Sequence, residues 1–354
     1  EPQCWAVIVG VSDYQQLGDV DGPVKDAQEL SYLLGPVWGY DNVKVLTDSQ
    51  ADKSAIKSAI NWLDNRENSN DTVLLYFAGH GDKGGWIAPY NAYYESTWIS
   101  SRELSGWLRL LESNNLTVIL DTCHAGAFNN SLSDNGRVIL ASSKSNETSW
   151  ETTFYGEWHG VFSYYLVEAI NNFFFTDTNH DYNLSAEEIF SYAQHETTYK
   201  TSDYGSTQYP VMSDQYPGQL SLFTLVKFTT EPKLASNINI ILLDGEGLAS
   251  SSDEFIWAPG STHETNAFEL IEVGNDTKYI FSSWDDGYSS APRVISQGGE
   301  YTIHYQTMYL LVIESDYGNP QGQGWYEAGS TANISITSVE GADTRYIFTG
   351  WSSG

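Results

Sequence analysis

The sequence is poor in cysteine, methionine, positive charge and long apolar runs. It contains two Cys and two Met among 354 residues, and 16 Lys and Arg against 46 Asp and Glu, which gives a formal net charge of −30. Two cysteines cannot build a disulfide framework. So few positive charges argue against nucleic acid as a partner, because phosphates would stay unneutralised. No apolar run is long enough for a transmembrane segment in this chain.

The residues that are abundant indicate a folded protein of more than one domain. Hydrophobic residues make up 41% and aromatic residues 14% of the chain, which is enough for substantial cores. The wealth of Ser, Asn, Tyr and Trp and the scarcity of Lys predict a secreted or cell-surface protein, with its signal peptide expected to be already removed. The acidic balance fits divalent cations, basic substrates or a salty exterior, and a plain solvated acidic surface is the alternative.

The first part of the chain predicts an α/β fold. Over about 225 residues, short apolar strands alternate with amphipathic helices, which implies a parallel sheet covered on both faces. The pattern also predicts a short helix at Ser185–Tyr192 and a closing strand at Leu220–Phe223.

The sequence changes character after about Lys227. Short alternating runs and Gly/Ser/Asp turns predict small all-β modules. Similar segments recur at an offset of 67 to 69 residues, for example around Trp257 and Trp325. We therefore predict three domains, 1–226, 227–307 and an incomplete 308–354.

Two apolar runs each lead into a reactive side chain. Val73–Phe77 precedes His80, and Val118–Leu120 precedes Cys123. Both residues are expected just past the carboxyl ends of core strands, where open α/β sheets place their ligands. A thiol and an imidazole brought together there can perform nucleophilic catalysis. A buried core cysteine is the alternative for Cys123.

These motifs resemble those of a known family. Tyr76-Phe77-Ala78-Gly79-His80-Gly81 and Leu120-Asp121-Thr122-Cys123-His124-Ala125-Gly126 resemble the motifs of caspase-like cysteine peptidases, closest to metacaspases and prokaryotic orthocaspases. The resemblance covers roughly residues 3 to 225. It implies a caspase-like, mostly parallel sheet flanked by helices, with Cys123 as nucleophile and His80 as acid–base. It also implies an oxyanion hole formed by the N–H groups of Gly81 and Cys123. No third catalytic residue is evident, and His159, His180 and His195 are expected at the surface.

Two acids are candidates for the pocket that binds the residue before the scissile bond. Asp121 lies two residues before Cys123, so a strand places both side chains on one side. The resemblance implies that Asp121 and Asp26 line this S1 pocket and bind Arg or Lys. A structural hydrogen-bonding role is the alternative for Asp121, and a helix-start carboxylate for Asp26. The family also implies self-cleavage in the loops after the nucleophile, with Lys144 as the candidate.

A third feature is a loop with the ligand spacing of a calcium site. The loop begins at Asp177 and has oxygen donors at positions 1, 3, 5, 7, 9 and 12, as in EF-hand and dockerin-type loops. The candidate ligands are Asp177, Asn179, Asp181, Asn183 and Glu188. Tyr182 stands where such loops usually have Gly. The alternative is a polar turn in which Ser185 and Glu188 form a capping box.

These observations predict an extracellular cysteine endopeptidase that cleaves after Arg or Lys, with calcium as a candidate cofactor. The alternatives are a non-catalytic, calcium-binding surface adhesion protein and a legumain-like thiol peptidase with Asn or Asp preference. The C-terminal modules resemble listerial internalin B-type repeats, which suggests cell-surface or extracellular partners. A simple stabilising appendage is equally compatible with them.

Overall fold

The structure is a computed structural model that describes residues 1–40, 42–245, 247–251, 253–341 and 343–352. The chain divides into two compact units. Unit 1 comprises Glu1–Val226 with Phe255–Ser261 and Gln297–Gly299, and unit 2 comprises Lys227–Glu254, Thr262–Ser296 and the chain from Glu300 onward. The three-domain division of the sequence stays a prediction.

Unit 1 is built on strands and helices that alternate along the chain. Its strands are β1 (Cys4–Gly10), β2 (Asn42–Thr47), β3 (Thr72–Ala78), β4 (Gly81–Asp82), β5 (Trp86–Ile87), β6 (Ile99–Ser100), β7 (Asn115–Asp121), β8 (Arg137–Ala141), β9 (Glu151–Phe154), β10 (Glu157–Gly160), β11 (Asn183–Ser185), β12 (Val211–Asp214) and β13 (Ser221–Glu231). Its helices are α1 (Pro23–Tyr32), α2 (Lys53–Asp64), α3 (Ser101–Leu108), α4 (Asn129–Leu132), α5 (Val161–Asn171), α6 (Phe173–Thr176) and α7 (Ala186–Thr201). A π-helical turn (Leu33–Val37) follows α1, and short 3₁₀ turns lie at Asp48–Gln50, Glu95–Thr97 and Ala125–Phe128.

The central sheet of unit 1 has the strand order β12-β8-β7-β3-β1-β2. The pairs among β8, β7, β3, β1 and β2 are parallel, and β12 runs antiparallel to β8. Alternate residues of β1 enter two separate cores. Cys4, Ala6 and Ile8 pack with α1, α5 and α7 on one face, whereas Trp5, Val7 and Val9 pack with α2 and α3 on the other. This three-layer arrangement confirms the predicted α/β, mostly parallel fold.

Helix α1 lies very close to β1. A Cβ atom on Gly10 would overlap the carbonyl oxygen of Pro23 and the methyl group of Ala27, so only glycine permits this approach. Helix α1 begins with Pro23, whose fixed φ suits a first helical turn. The same turn carries Asp26, which the close packing fixes near the carboxyl end of β1.

Two local predictions differ from the structure. The edge strand of the central sheet is β12, whereas Leu220–Phe223 falls at the start of β13, which pairs with β11 instead. Helix α7 continues to Thr201 rather than ending near Tyr192, because Ala193, Thr197 and Thr201 extend its buried face at four-residue spacing. No helix in the described ranges is long and apolar enough to cross a membrane.

Unit 2 consists of strands and turns, and it includes the part of β13 that follows Val226. Its strands after β13 are β14 (Asn239–Leu243), β15 (Gly247–Ser250), β16 (Glu254–Trp257, which continues into unit 1), β17 (His263–Ala267), β18 (Leu270–Val273), β19 (Thr277–Trp284), β20 (Pro292–Ile295), β21 (Gly299–Leu311), β22 (Gly324–Glu327), β23 (Val339–Glu340) and β24 (Arg345–Tyr346). Strands β15, β14, β17 and β20 form one antiparallel sheet, and β18, β19, β21 and β22 pair in another.

The two sequence copies in the C-terminal part take different local structures. In the first copy Trp284 ends β19 and is completely buried. In the second copy Tyr346 ends the two-residue strand β24, and Trp351 is 41% exposed. Residues 342, 353 and 354 of the second copy lie outside the described residues. The repeat modules therefore stay a prediction.

Candidate active site

Cys123 lies in the turn that follows β7. This strand ends at Asp121, and the chain reverses at His124, which has a left-handed φ of 60° before the 3₁₀ turn. The reversal leaves the thiol partly exposed, with Sγ 4.0 Å from the carbonyl oxygen of Ser149. Cys123 is therefore not the buried core cysteine that the sequence left as an alternative.

His80 follows β3 and is held on two sides. Its backbone N–H donates to the hydroxyl of Tyr14 at 2.7 Å, and the rings of the two residues lie 4.8 Å apart. Its Nε2 lies 2.8 Å from the carbonyl oxygen of Gly18. A carbonyl oxygen only accepts, so Nε2 carries the proton and Nδ1 of the neutral ring is the basic nitrogen. The sequence could not reveal this orienting group, because it is a backbone atom 62 residues away.

Cys123 and His80 line one cavity of about 310 Å³. Gly81 lies against the nucleophile turn, because a Cβ atom there would overlap the carbonyl oxygen of Cys123 and crowd the side chain of Thr122. Glycine thus lets the two strand ends approach each other. The roles of nucleophile, acid–base and oxyanion hole stay predictions for these residues.

Three carboxylates line the same cavity, and we name it the acid pocket. Asp26, Asp121 and Glu151 all contribute to its wall, while no Lys or Arg is among its described lining residues. Gly160 lies between the first two acids, since a Cβ atom on it would overlap Oδ2 of Asp121 and lie 3.3 Å from Oδ2 of Asp26. The structure thus brings together the two acids that the sequence singled out and adds a third.

Asp121 is almost fully buried and accepts hydrogen bonds on both oxygens. The hydroxyl of Ser149 donates to Oδ1 at 2.7 Å, and the N–H and hydroxyl of Ser163 donate to Oδ2 at 3.1 and 2.6 Å. Such donors stabilise a carboxylate where water is scarce. Asp121 thus makes structural hydrogen bonds and also lines the acid pocket, while its role in binding a substrate stays a prediction.

Asp26 is 2% exposed and pairs with a histidine. Its Oδ1 lies 2.7 Å from Nδ1 of His159, and its Oδ2 accepts from the N–H of Gly160 at 2.9 Å. Burial raises the pKa of Asp26 to about 7 despite these two bonds. Burial lowers the pKa of His159, but the hydrogen bond and charge of Asp26 outweigh it and the pKa is raised. Because the two groups are in direct contact, they titrate as a coupled pair.

The expectation of a surface position for His159 is wrong. The residue is 4% exposed because the β9–β10 hairpin folds it against α1. His180 and His195 are exposed as expected. Sequence spacing gave no hint of the pair, since 133 residues separate His159 from Asp26.

Glu151 is the pocket residue that sequence reasoning missed. It starts β9, and its two carboxylate oxygens accept from the N–H groups of Gly22 and Asp21 at 3.1 and 3.2 Å. Burial, followed by the nearby charge of Asp121, raises its pKa. The signal in the sequence that could have indicated Glu151 is its place directly after the loop that follows β8, because that loop begins at the carboxyl end of the sheet. No short motif marks it.

The acids also affect the thiol of Cys123. Burial raises the pKa of the Cys123 thiol, and the charges of Asp121 and Glu151 raise it further. The isolated thiol is thus a poor source of thiolate at neutral pH. Ionisation has to be assisted by a base, a role that fits His80.

Lys144 lies in the turn after β8. Its Nζ is 3.2 Å from Glu147 and 3.9 Å from the ring centre of Tyr209. Its side chain is 47% exposed, whereas Arg137, the other basic residue nearby, is buried with its guanidinium bonded to the carbonyl oxygens of Leu108 and Leu132. Lys144 is thus the more accessible of the two.

The loop at Asp177–Glu188 is folded by hydrogen bonds from its backbone N–H groups to its own carboxylates. Asp177 accepts from the N–H groups of Asp181 and Tyr182 at 3.3 and 3.0 Å, and Asp181 accepts from Asn183 N–H at 2.8 Å. Tyr182 has a left-handed φ of 61° and so adopts the conformation for which such loops use Gly. The departure from Gly therefore does not prevent the turn.

The side chains of this loop are committed to other bonds. Glu188 and Ser185 form the capping box of α7, and Oε1 of Glu188 accepts from the N–H of Thr178 at 2.9 Å. In the described part of the chain, one cluster of His and acidic side chains is close enough to hold a metal ion. Its members are Glu29, Glu157 and His159, whose potential ligand atoms all lie within 4.8 Å of one another. The carboxylates of the loop form no such group. Lys25 forms ion pairs with both Glu29 and Glu157 and so competes with a cation there.

The parallel sheet carries a cysteine and a histidine at its carboxyl edge, as the resemblance to caspase-like proteins implies. Residues 3–221 match the family model described as Caspase domain. The chain belongs to the caspase-domain family.

Similar proteins include fungal metacaspases. Metacaspase-1 of Ajellomyces capsulatus is 27% identical over 143 residues, which cover 34% of this chain and 40% of that protein. Metacaspase-1A of Aspergillus oryzae is 27% identical over 144 residues, which cover 34% of each chain. The chain thus spans about a third to two fifths of the length of these relatives. The crystal structure of Caspase-1 from Spodoptera frugiperda matches with a TM-score of 0.47 and 16% identity, covering 62% of this chain and 89% of that one.

Proposed function

We propose that this protein is a cysteine endopeptidase that cleaves after Arg or Lys. The observation that carries the proposal is the acid pocket, where Asp26, Asp121 and Glu151 line one cavity with Cys123 and His80. Three carboxylates with no Lys or Arg among the described lining residues favour a long cationic side chain. A guanidinium gains most, because its planar fork pairs with carboxylates through two parallel hydrogen bonds.

The proposed reaction uses the neutral imidazole as base. Nδ1 of His80 takes the proton of the Cys123 thiol, and the thiolate attacks the carbonyl carbon to form the C–S bond. The N–H groups of Gly81 and Cys123 stabilise the resulting oxyanion. The C–N bond then breaks and His80 returns the proton to the leaving amine. Water hydrolyses the thioester and regenerates the thiol.

The test is hydrolysis of fluorogenic peptides with Arg, Lys, Asn or Asp before the scissile bond. The wild-type protein is expected to cleave the Arg and Lys peptides, and Cys123→Ala to cleave none while keeping its circular dichroism spectrum and Tm. Preference for Asn or Asp would favour the legumain-like alternative. Absence of cleavage for all four would favour the adhesion protein.

We further propose that the Asp177–Glu188 loop binds Ca²⁺ and that the ion stabilises the start of α7. The oxygen spacing and the left-handed Tyr182 support this proposal, while the Ser185–Glu188 capping box is the competing use of the same side chains. Tyr182 also offers a probe, because a tyrosine beside the site sensitises Tb³⁺ emission. The expected result is Tb³⁺ emission that decreases when Ca²⁺ displaces the bound Tb³⁺. Absence of this emission would mean that Ser185 and Glu188 serve the capping box and not a calcium site.

Self-cleavage after Lys144 is a proposal that its accessibility supports. Incubation of the wild-type protein should produce a new amino terminus at Ser145, detected by terminal sequencing. Neither Cys123→Ala nor Lys144→Gln should produce it. A cut at another position, or a fully active protein without any cut, would contradict this assignment.

An extracellular or cell-surface location, with partners bound through unit 2, is likewise a proposal. The Asn- and Ser-rich, acidic composition supports it. Fractionation of cells that produce the protein would test the location, since recovery only from the cell interior would overturn it.

A further inference from the structure

His80 also lines a second cavity, which we name the indole cavity. It has a volume of about 530 Å³ and is lined by His80, Gly81, Asp82, Trp86, Glu95 and Trp98, among others. This volume is larger than that of the acid pocket and is sufficient for a long side chain. The catalytic scheme above gives the indole cavity no role.

The position of this cavity relates it to the leaving part of the substrate. His80 lines both cavities, so both adjoin the residue that protonates the leaving amine. When the residue before the scissile bond fills the acid pocket, the chain after that bond has to pass His80. Strand β4 begins at Gly81, directly after His80, and leads into the indole cavity.

The lining pairs an acid with each of two indoles. Asp82 lies opposite Trp86 in the antiparallel β4–β5 pair. Glu95 lies one turn before Trp98, whose N–H donates to the Glu95 carbonyl oxygen at 3.2 Å. Opposite residues in such a pair have side chains on one face. The indole rings are half-buried and the two carboxylates are exposed.

The two carboxylates have no cationic partner in the described part of the chain. No Lys, Arg or His nitrogen lies within 4.0 Å of Asp82 or Glu95 there. Lys53 approaches the backbone of this wall, with Nζ 2.7 Å from the carbonyl oxygen of Trp98, but its charge is paired with Glu103 at 2.8 Å. A cation that entered the cavity would meet unpaired negative charge and two indole side chains, the aromatic group that cations bind best.

We propose that the indole cavity is a subsite for a Lys or Arg side chain on the carboxyl-terminal side of the scissile bond. The inference rests on the proposed peptidase function and extends it. The substrate is then a segment that is basic on both sides of the cleaved bond.

The test uses internally quenched peptides with Arg before the scissile bond and Lys, norleucine or Glu at each of the three positions after it. At one position Lys should raise kcat/KM over norleucine by about tenfold, the size of a favourable cation–aromatic contact combined with a charge pair. Glu should lower it. In the double variant Asp82→Asn, Glu95→Gln this ratio should fall to near one. Asp203→Asn, which removes an exposed acid of another region, should keep the wild-type ratio.

A binding measurement tests the indole cavity even if the protein cleaves none of these peptides. Fluorescence anisotropy with Cys123→Ala should show tighter binding of the Arg–Lys peptide than of its norleucine counterpart. The difference should vanish when Asp82→Asn and Glu95→Gln are added.

The failures of the two proposals can be told apart. Cleavage after Asn or Asp instead of Arg overturns the proposed function, whatever follows the bond. Cleavage after Arg with no gain from Lys, with a preference for norleucine, or with a Lys gain that survives in the double variant overturns the indole-cavity subsite alone.

Discussion

A buried carboxylate needs hydrogen-bond donors or a partner of opposite charge. Each of the three acids next to Cys123 has such partners. Asp121 accepts from Ser149 and Ser163, and Glu151 accepts from two backbone N–H groups. Asp26 instead pairs with His159, whose Nδ1 lies 2.7 Å from its Oδ1. The three acids of the pocket thus differ in how their charge is compensated. The side chain of Glu151 is the least buried of the three and is therefore the most accessible from the cavity.

Sequence motifs identified the residues of this site that lie close along the chain to a strand end. His80, Cys123 and Asp121 each follow or end an apolar run, so short patterns located them. Glu151, His159 and the Gly18 carbonyl oxygen reach the site through tertiary packing. No spacing rule connects such residues, because the intervening loops can have any length.

The raised pKa of the Cys123 thiol predicts a pH-dependent reactivity. A raised pKa means that less thiolate is present at any pH below it, so alkylation by iodoacetamide should be slow at pH 7 and still increase above pH 9. Cys4 is buried and should react only on unfolding. The unfolded thiol ionises first, so stability should also fall as the pH rises past the ordinary thiol range.

Removal of one carboxylate charge from the acid pocket tests why the pKa of the Cys123 thiol is raised. Glu151→Gln should lower the thiol pKa and accelerate alkylation at pH 7, while Asp203→Asn should not. If Glu151→Gln leaves the rate unchanged, the charge of Glu151 does not reach the thiol.

At the level of elements, the β9–β10 hairpin completes the pocket. It supplies Glu151, His159 and Gly160, while β7 and α1 supply Asp121 and Asp26. The sequence predicted the five parallel strands of the central sheet and most helices, since their apolar periodicity is strong, but it did not predict β12. It did not predict that this polar hairpin would fold against α1, because its residues alternate weakly.

Gly160 offers a test of this arrangement. Gly160→Ala should push Asp121 from its place and reduce kcat/KM for an Arg peptide by about 10- to 100-fold, the cost of disturbing charged hydrogen bonds. Gly106→Ala is the matched control, because a Cβ atom there meets nothing within 4 Å. Equal activity of the two variants would show that the hairpin does not set the pocket geometry.

The start of α7 allows the two uses of Glu188 to be separated. Glu188→Gln keeps a capping box, since Gln also serves at that position, but removes a charged calcium ligand. We expect Ca²⁺ to raise the wild-type Tm by several degrees and to leave that of Glu188→Gln unchanged. The Tm values in chelator should be similar. A variant that keeps the full Ca²⁺ response would contradict the calcium site.

At the level of the whole molecule, the net charge of −30 favours encounter with cationic peptides. An increase in ionic strength from about 0.05 to 0.5 M shortens the screening length and should lower kcat/KM several-fold for an Arg peptide. The same peptide with citrulline should change less. Equal salt dependence of the two would show that the charge serves solubility rather than substrate attraction.

The central claim is that the acid pocket beside Cys123 selects a positive charge, and citrulline tests it most directly. Citrulline has nearly the shape of arginine but no charge, so the ratio of kcat/KM for Arg and citrulline peptides isolates the electrostatic part of recognition. We predict a ratio of about 100 or more for the wild-type protein, and a ratio at least about tenfold lower for Glu151→Gln and for Asp121→Asn. A wild-type ratio near one, or a ratio that both variants leave unchanged, would contradict the claim.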